Sequence, residues 1–294
     1  MREVVVISGK GGTGKTSLVG AFAALANGKV LVDCDVDAAD LHLLLNPQIE
    51  RREEFFGGKK ASIQEDRCTG CGICQEACRF GAVSALAGAG GSDRFRIDPL
   101  GCEGCGLCAR LCPAEAIRFE PALSGQWFVS STAYGAMVHA RLGIAQGNSG
   151  KLVSLLRREA RGIAEQNGLN LLIADGSPGI GCPVIASITG ADLVLAVTEP
   201  TCSGLHDVQR VVDLTSHFRI PLMLCINKWD INPEMAGRIE RETGKRGVRM
   251  AGNIRYDPAV TKAQIMKTTV VEYTGGAIAG DMQAVWRKVV YALG

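Results

Sequence analysis

Between an apolar run, Val4–Ile7, and an Ala-rich segment, Leu18–Ala26, stands the stretch Gly9-Lys10-Gly11-Gly12-Thr13-Gly14-Lys15-Thr16-Ser17. Strand, glycine loop and helix in that order make G-x-x-x-x-G-K-[ST] more than a pattern match. The glycines let consecutive backbone N–H groups face one concavity, and the helix start adds the positive end of its dipole; together they hold polyphosphate. Lys15 is placed to neutralise β/γ-phosphate charge, and the Thr16 hydroxyl to ligate Mg²⁺. A parallel sheet covered by helices follows from such an opening.

Further apolar runs extend that sheet. Lys29–Asp33 reads as a buried strand ending in Asp33-Cys34-Asp35-Val36-Asp37, and Leu171–Asp175 as another ending in an acid. Carboxylates at the C-terminal ends of strands beside a phosphate loop stand where an α/β fold places its chemistry. Asp192–Thr198 and Pro221–Ile226 continue the series, the latter closing on Asn227-Lys228-Trp229-Asp230. Gly176-Ser177-Pro178-Gly179 follows the second acidic strand, and Ala277–Leu293 reads as a closing helix with Met282, Val285, Val289 and Leu293 on one side.

Cysteine divides the chain. Of twelve cysteines, eight fall in one region: Cys68, Cys71, Cys74 and Cys78, then Cys102, Cys105, Cys108 and Cys112, the second run 34 residues after the first. Each is C-x2-C-x2-C-x3-C, a metal pattern; zinc sites prefer paired cysteines in fours to triplets with a distant fourth. The spacing resembles that of bacterial two-cluster ferredoxins, in which the fourth cysteine of each run serves the other run's cluster. The resemblance implies two [4Fe–4S] clusters, one on Cys68, Cys71, Cys74 and Cys112, the other on Cys102, Cys105, Cys108 and Cys78. Arg79 stands where the second run has Pro113, which places a positive charge beside a cluster.

The phosphate loop carries a resemblance of its own. Lys10, directly after the first glycine, resembles the signature lysine of the deviant Walker A ATPases, the superfamily of MinD, ParA, Mrp and the nitrogenase iron protein. In that family this lysine reaches the partner's phosphates across a nucleotide-sandwich dimer. The resemblance implies that Asp35 serves the attacking water, that Asp33, Asp35 and Asp175 join Thr16 around Mg²⁺, and that Gly179 brings its N–H to the γ-phosphate. Asn227, Lys228 and Asp230 form an N-K-x-D run, the guanine-reading signature of GTPases, whereas the family reads adenine with an asparagine at this strand end. The family pattern favours ATP over GTP. Cys182 follows the switch loop, where the iron protein has a bridging-cluster ligand, but no second such ligand is evident.

The expected architecture is a doubly wound, mostly parallel P-loop sheet in two parts, residues 1–58 and 122–294, interrupted by a small α+β ferredoxin domain at 59–121. A net charge of +2 gives no basic field for nucleic acid, and no apolar run reaches the length of a membrane span. With no leader evident, the chain reads as cytoplasmic. The implied activity is a slow, dimer-dependent ATPase that binds ATP and ADP with Mg²⁺. Its nucleotide-dependent homodimer would couple hydrolysis to electron transfer with a redox or iron–sulfur protein partner. Cluster assembly or delivery, and MinD- or ParA-like positioning with redox-sensing clusters, are the alternatives.

Overall fold

The computed structural model describes residues 1–86, 94–143 and 149–294. The glycine-rich stretch Ala87-Gly88-Ala89-Gly90-Gly91-Ser92, whose composition reads as a loop between the two cysteine runs, lies outside the described residues, as does Asn148, whose sequence Asn148-Ser149-Gly150-Lys151 reads as a helix start. The strands are β1 (Arg2–Ser8), β2 (Lys29–Asp33), β3 (Gln48–Ile63), β4 (Val83–Leu86), β5 (Arg94–Ile97), β6 (Ile117–Thr132), β7 (Gly135–Leu142), β8 (Leu171–Pro178), β9 (Leu193–Thr198), β10 (Leu222–Asn227) and β11 (Arg249–Ile254).

Nine of them form one sheet in the order β11-β10-β9-β1-β8-β2-β7-β6-β3. Every pairing from β11 across to β7 is parallel. The central strands are mostly apolar because helices cover both faces: all but the first residue of β1, and every residue of β9, is buried. The fold is the mixed, mostly parallel α/β sheet that the sequence implies.

Two compact units divide the chain. The first comprises Met1–Glu53, Trp127–Arg141 and Ser149–Gly294. Its core packs the helix Lys15–Leu25 against the closing helix Ala277–Leu293, with the Phe22 and Trp286 rings 4.7 Å apart. Met282, Val285, Val289 and Leu293 are all buried there, so this helix is a core element. A buried ionic cluster ties β1 to the helices behind it. Arg157 Nε donates to Glu3 Oε1 at 2.6 Å, and Arg161 donates to Glu3 Oε2.

The second unit is built on Glu54–Gln126. The strands β3 and β6 carry the chain out of the first unit and back, each beginning in one and ending in the other. A small core of Ala61, Cys74, Val83, Phe95 and Ile97 lies under the two-stranded antiparallel sheet of β4 and β5. Two short helices, Ile73–Glu76 and Leu107–Leu111, each carry the third cysteine of a run, Cys74 and Cys108.

Candidate functional site

The C-terminal ends of β1, β2, β8, β9, β10 and β11 meet at one edge of the sheet, and each delivers a polar residue there. Gly9–Ser17 leaves β1. Gly14 has φ +86°, and a Cβ on it would come within 2.3 Å of Asn227 Nδ2, so glycine is required both for the turn and for the close approach of β10. The helix that begins at Lys15 consequently aims its free N–H groups into the loop.

Lys15 is almost wholly enclosed. Its Nζ donates to Asp175 at 2.5 Å and to Asp35 at 3.4 Å. Burial works against its charge, but Asp175 and Asp35 outweigh that and hold its pKa above the ordinary lysine value. Burial raises the pKa of Asp35, and burial with the neighbouring Asp175 raises that of Asp33 well above the carboxylate range. Three carboxylates and one lysine thus share a low-dielectric corner. Two polar atoms of the corner are buried with no hydrogen-bond partner, Thr13 Oγ1 and Asp175 Oδ2. A buried carboxylate oxygen left over beside a lysine suits a hydrated divalent cation.

The carboxylates are not equivalent. Asp33 spends both oxygens on its own loop, Oδ1 accepting from Asp35 N at 3.0 Å and Oδ2 from Leu41 N at 3.3 Å. It shapes the acidic turn, while Asp35 and Asp175 reach Lys15. Gly179 has φ +92° and donates its N–H to Ser8 O at 2.8 Å, so that N–H is engaged with β1 and not free for phosphate.

Lys10 lies over the other side of the loop, 3.5 Å from Glu199 and 3.4 Å from Ser203 Oγ. Glu199 also takes Lys228 Nζ at 2.5 Å. One carboxylate therefore bridges the signature lysine and the lysine after β10, a role the sequence reading missed. Its signal was available: an acid directly after an apolar strand, the same position that drew notice to Asp33.

A hollow of about 190 Å³ opens beside the loop, lined by Gly12, Gly14, Ser17, Asn227, Lys228 and the segment Ile254–Asp257, among others. Gln264 closes one side by donating to Ser17 Oγ at 2.9 Å. Asn227 Nδ2 donates to Thr13 O at 2.8 Å, which joins the end of β10 to the glycine loop. The N-K-x-D run is divided. Asn227 and Lys228 line the hollow, but Asp230 does not; it is exposed and accepts from Tyr256 N at 2.7 Å. The short turn Trp229–Ile231, entered through a left-handed Lys228, carries the carboxylate past the hollow.

In the second unit the eight cysteines separate into two sets. One hollow is lined by Cys68, Cys71, Cys74 and Cys112, the other by Cys102, Cys105, Cys108 and Cys78. The triplet of each run is thus joined by the fourth cysteine of the other. The repeat extends beyond the thiols: all 11 residues around the first hollow have a counterpart 34 positions away around the second. Ile63 answers to Ile97, Phe95 to Ala61, Ile117 to Val83 and Thr69 to Glu103. Gly104 takes φ +64° with its Cα hydrogens facing Lys59 O, where a Cβ would stand 2.2 Å away. Ala116 N donates to Cys112 Sγ at 3.3 Å, the kind of amide-to-sulfur contact that stabilises a cluster thiolate. Among the described residues no three Cys, His, Asp or Glu side chains converge on a single ion. Four thiols around one hollow suit a polynuclear cluster. Arg79 does not line either hollow, and its guanidinium covers the Phe80 ring at 4.7 Å.

The remaining cysteines and His139 fall outside these sites. Cys34 and Cys225 are fully buried, and burial raises the Cys225 thiol to about 12. Cys182 and Cys202 are exposed. His139 is buried in β7 against Ser130 Oγ, 2.9 Å away.

Comparison with known proteins defines the class. Residues 61–119 match the family model described as a 4Fe-4S dicluster domain. The whole chain superposes on the MinD cell division protein of Aquifex aeolicus with TM-score 0.58 at 15% identity, covering 99% of this chain and 97% of that one. MinD of Pyrococcus horikoshii, solved with Mg-ADP, gives TM-score 0.58 at 14% identity over 98% and 95%. The fold is that of the MinD/ParA P-loop ATPases with an iron–sulfur ferredoxin-type domain inserted. More closely, the chain is 33% identical over 236 residues to uncharacterized protein MJ0578 of Methanocaldococcus jannaschii, covering 78% of this chain and 79% of that protein. It belongs to the family of that protein.

Proposed function

We propose that this protein is an ATP-hydrolysing nucleotide switch with two resident [4Fe–4S] clusters, and that it gates electron transfer to a protein partner by nucleotide. The observation that carries the reading is the presence, in one chain, of a Lys15–Asp35–Asp175 phosphate corner and two four-thiol hollows. Thiols drawn from both repeats make the clusters part of the fold and not cargo.

Mg²⁺, held through Thr16 and Asp175 Oδ2, would neutralise charge on the β- and γ-phosphates. Lys15 would turn from its carboxylates to those phosphates, and Asp35 would orient the attacking water. Thr13 and the following amides would cradle the phosphates, and the base would enter the hollow between Asn227 and Ile254–Asp257. Lys10 would leave Glu199 to reach the phosphates of a second copy, so hydrolysis would require a nucleotide-dependent homodimer. Gly179 would exchange Ser8 O for the γ-phosphate and return after hydrolysis, which makes Gly176–Gly181 the switch. The MinD-fold neighbour solved with Mg-ADP supports the nucleotide assignment.

The test is anaerobic purification with iron and sulfide counts, followed by ATPase rate and cluster EPR with ATP, with ADP and with neither. Eight iron per chain, and reduction kinetics that respond to ATP in the wild type but not in Lys15→Ala, are expected. Electron delivery indifferent to nucleotide would remove the gating.

A further inference from the structure

The outer wall of the hollow is the segment Arg255–Asp257, between β11 and the helix Ala259–Ile265. It lies beyond the sheet ladder, and carboxylates hold it instead. Asp281 accepts from Arg255 N at 3.1 Å, from its Nε at 2.7 Å and from its Nη2 at 3.0 Å. Asp230 Oδ1 accepts from Tyr256 N at 2.7 Å. Asp257 Oδ1 accepts from Ala259 N at 2.8 Å and so starts the next helix. Consecutive residues of the wall are thus fixed by three separate aspartates. A proline at 255 would lack the N–H that Asp281 takes.

We propose that Asp230 is a positioning residue, which sets the wall against which the base lies and does not itself read the base. The N-K-x-D run then confers no preference for guanine. This rests on the nucleotide-binding reading given above. Guanine recognition needs both carboxylate oxygens of this aspartate, one for N1–H and one for the N2 amine. Here one oxygen is committed to Tyr256 N, and the side chain lies outside the lining of the hollow. Lys228 cannot restore the GTPase arrangement either, since its Nζ is drawn to Glu199. What remains of the signature is Asn227, and its amide braces the phosphate loop through Thr13 O.

The test is equilibrium binding of ATP, GTP and XTP to the full-length, cluster-loaded protein, as wild type, Asp230→Asn and Asp230→Ala. Asparagine keeps an oxygen for Tyr256 N, so Asp230→Asn should bind ATP within about twofold of wild type. Alanine loses that acceptor, and ATP affinity should fall by roughly tenfold, the worth of one such hydrogen bond. The ATP-to-GTP ratio should be the same in all three. Iron content and melting temperature of Asp230→Ala identify any general loss of folding, and the rescue by asparagine separates the strut from a bulk effect. An aspartate that read guanine would give the opposite pattern. Wild type would then prefer GTP, and Asp230→Asn would trade GTP for XTP, because an amide complements the xanthine edge. That outcome, or undiminished ATP binding by Asp230→Ala, overturns the inference while leaving nucleotide binding intact. Wild type that binds none of the three overturns both.

Discussion

Lys15 is held by carboxylates that have few other partners, and this makes its removal a stability experiment as well as a binding one. Asp175 is 1% exposed and has one oxygen already without a partner, so Lys15→Met would leave buried negative charge uncompensated. Breaking a buried pair from one side costs about 3–5 kcal/mol. We expect the nucleotide-free variant to melt well below wild type, and ATP to lose its power to raise the melting temperature. The deficit should shrink between pH 7 and pH 5. Burial already raises the pKa of Asp35, so without Lys15 it takes up a proton more readily in the folded state than in the unfolded one, and acid relieves the variant. His139 acts in the other sense. Burial, then the nearby His42 and Arg141 charges, lowers its pKa to about 4, below the unperturbed value of about 6.5. The unfolded chain therefore binds this proton first as pH falls, and the stability present above pH 6.5 is lost progressively toward pH 4. Between pH 7 and pH 5 the loss is about 2 kcal/mol. Urea midpoints at the two values should fall further for wild type than for His139→Asn, whose amide can still meet Ser130; equal falls would discard the assignment.

At the scale of elements, the repeat in the second unit yields a comparison internal to one chain. The two hollows differ in charge at one pair of matched positions, Thr69 and Glu103. A carboxylate beside a cluster opposes the added electron, so the Cys102/Cys105/Cys108/Cys78 cluster should have the lower potential. In an EPR-monitored redox titration, Glu103→Thr should raise one potential and narrow the separation, while Thr69→Glu should lower the other. If neither moves, charge at this position does not distinguish the clusters. The same elements show what a sequence reveals. The cysteine runs and the strands β1, β2, β8, β9 and β10 are legible because each is an uninterrupted apolar or metal-binding pattern. The strand β3 is not, since Gln48–Glu54 is charged and exposed on both faces at the edge of the sheet, where pairing is guarded by charge and leaves no alternation. The strand β7 escaped notice for another reason: Gly135–Leu142 carries a histidine and an arginine, yet its middle is fully enclosed between β2 and β6. At the phosphate loop the residue types were readable and their partners were not. Nothing in the spacing shows that Asp33 turns inward to two amides, that Glu199 bridges Lys10 and Lys228, or that a one-turn helix carries Asp230 past the hollow. Those are facts of backbone direction, which motifs leave open.

Over the whole molecule, the two units have separate cores of very different size. The large apolar cluster lies entirely in the nucleotide unit, whereas the second unit encloses only Ala61, Cys74, Val83, Phe95 and Ile97 with a few partly buried neighbours. So small a core cannot offset the conformational entropy of its chain, and domains of this kind draw folding free energy from metal. The thiols of Cys74 and Cys108 show the same dependence. Burial raises their pKa, so without iron they remain neutral side chains in a hollow shaped for thiolates. Calorimetry should therefore resolve two transitions. The lower should follow iron content and vanish after oxidation and chelation, and the upper should follow ATP and Mg²⁺. Removal of iron should also leave nucleotide affinity within a few fold of the intact protein, because among the described residues none of the Lys15 corner or of the base hollow comes from the second unit. The nucleotide unit is then an autonomous binder, and influence of ATP on the clusters must be a change in rate or geometry and not a shared requirement for folding. A single transition that moved with both ligands would show instead that the units fold as one.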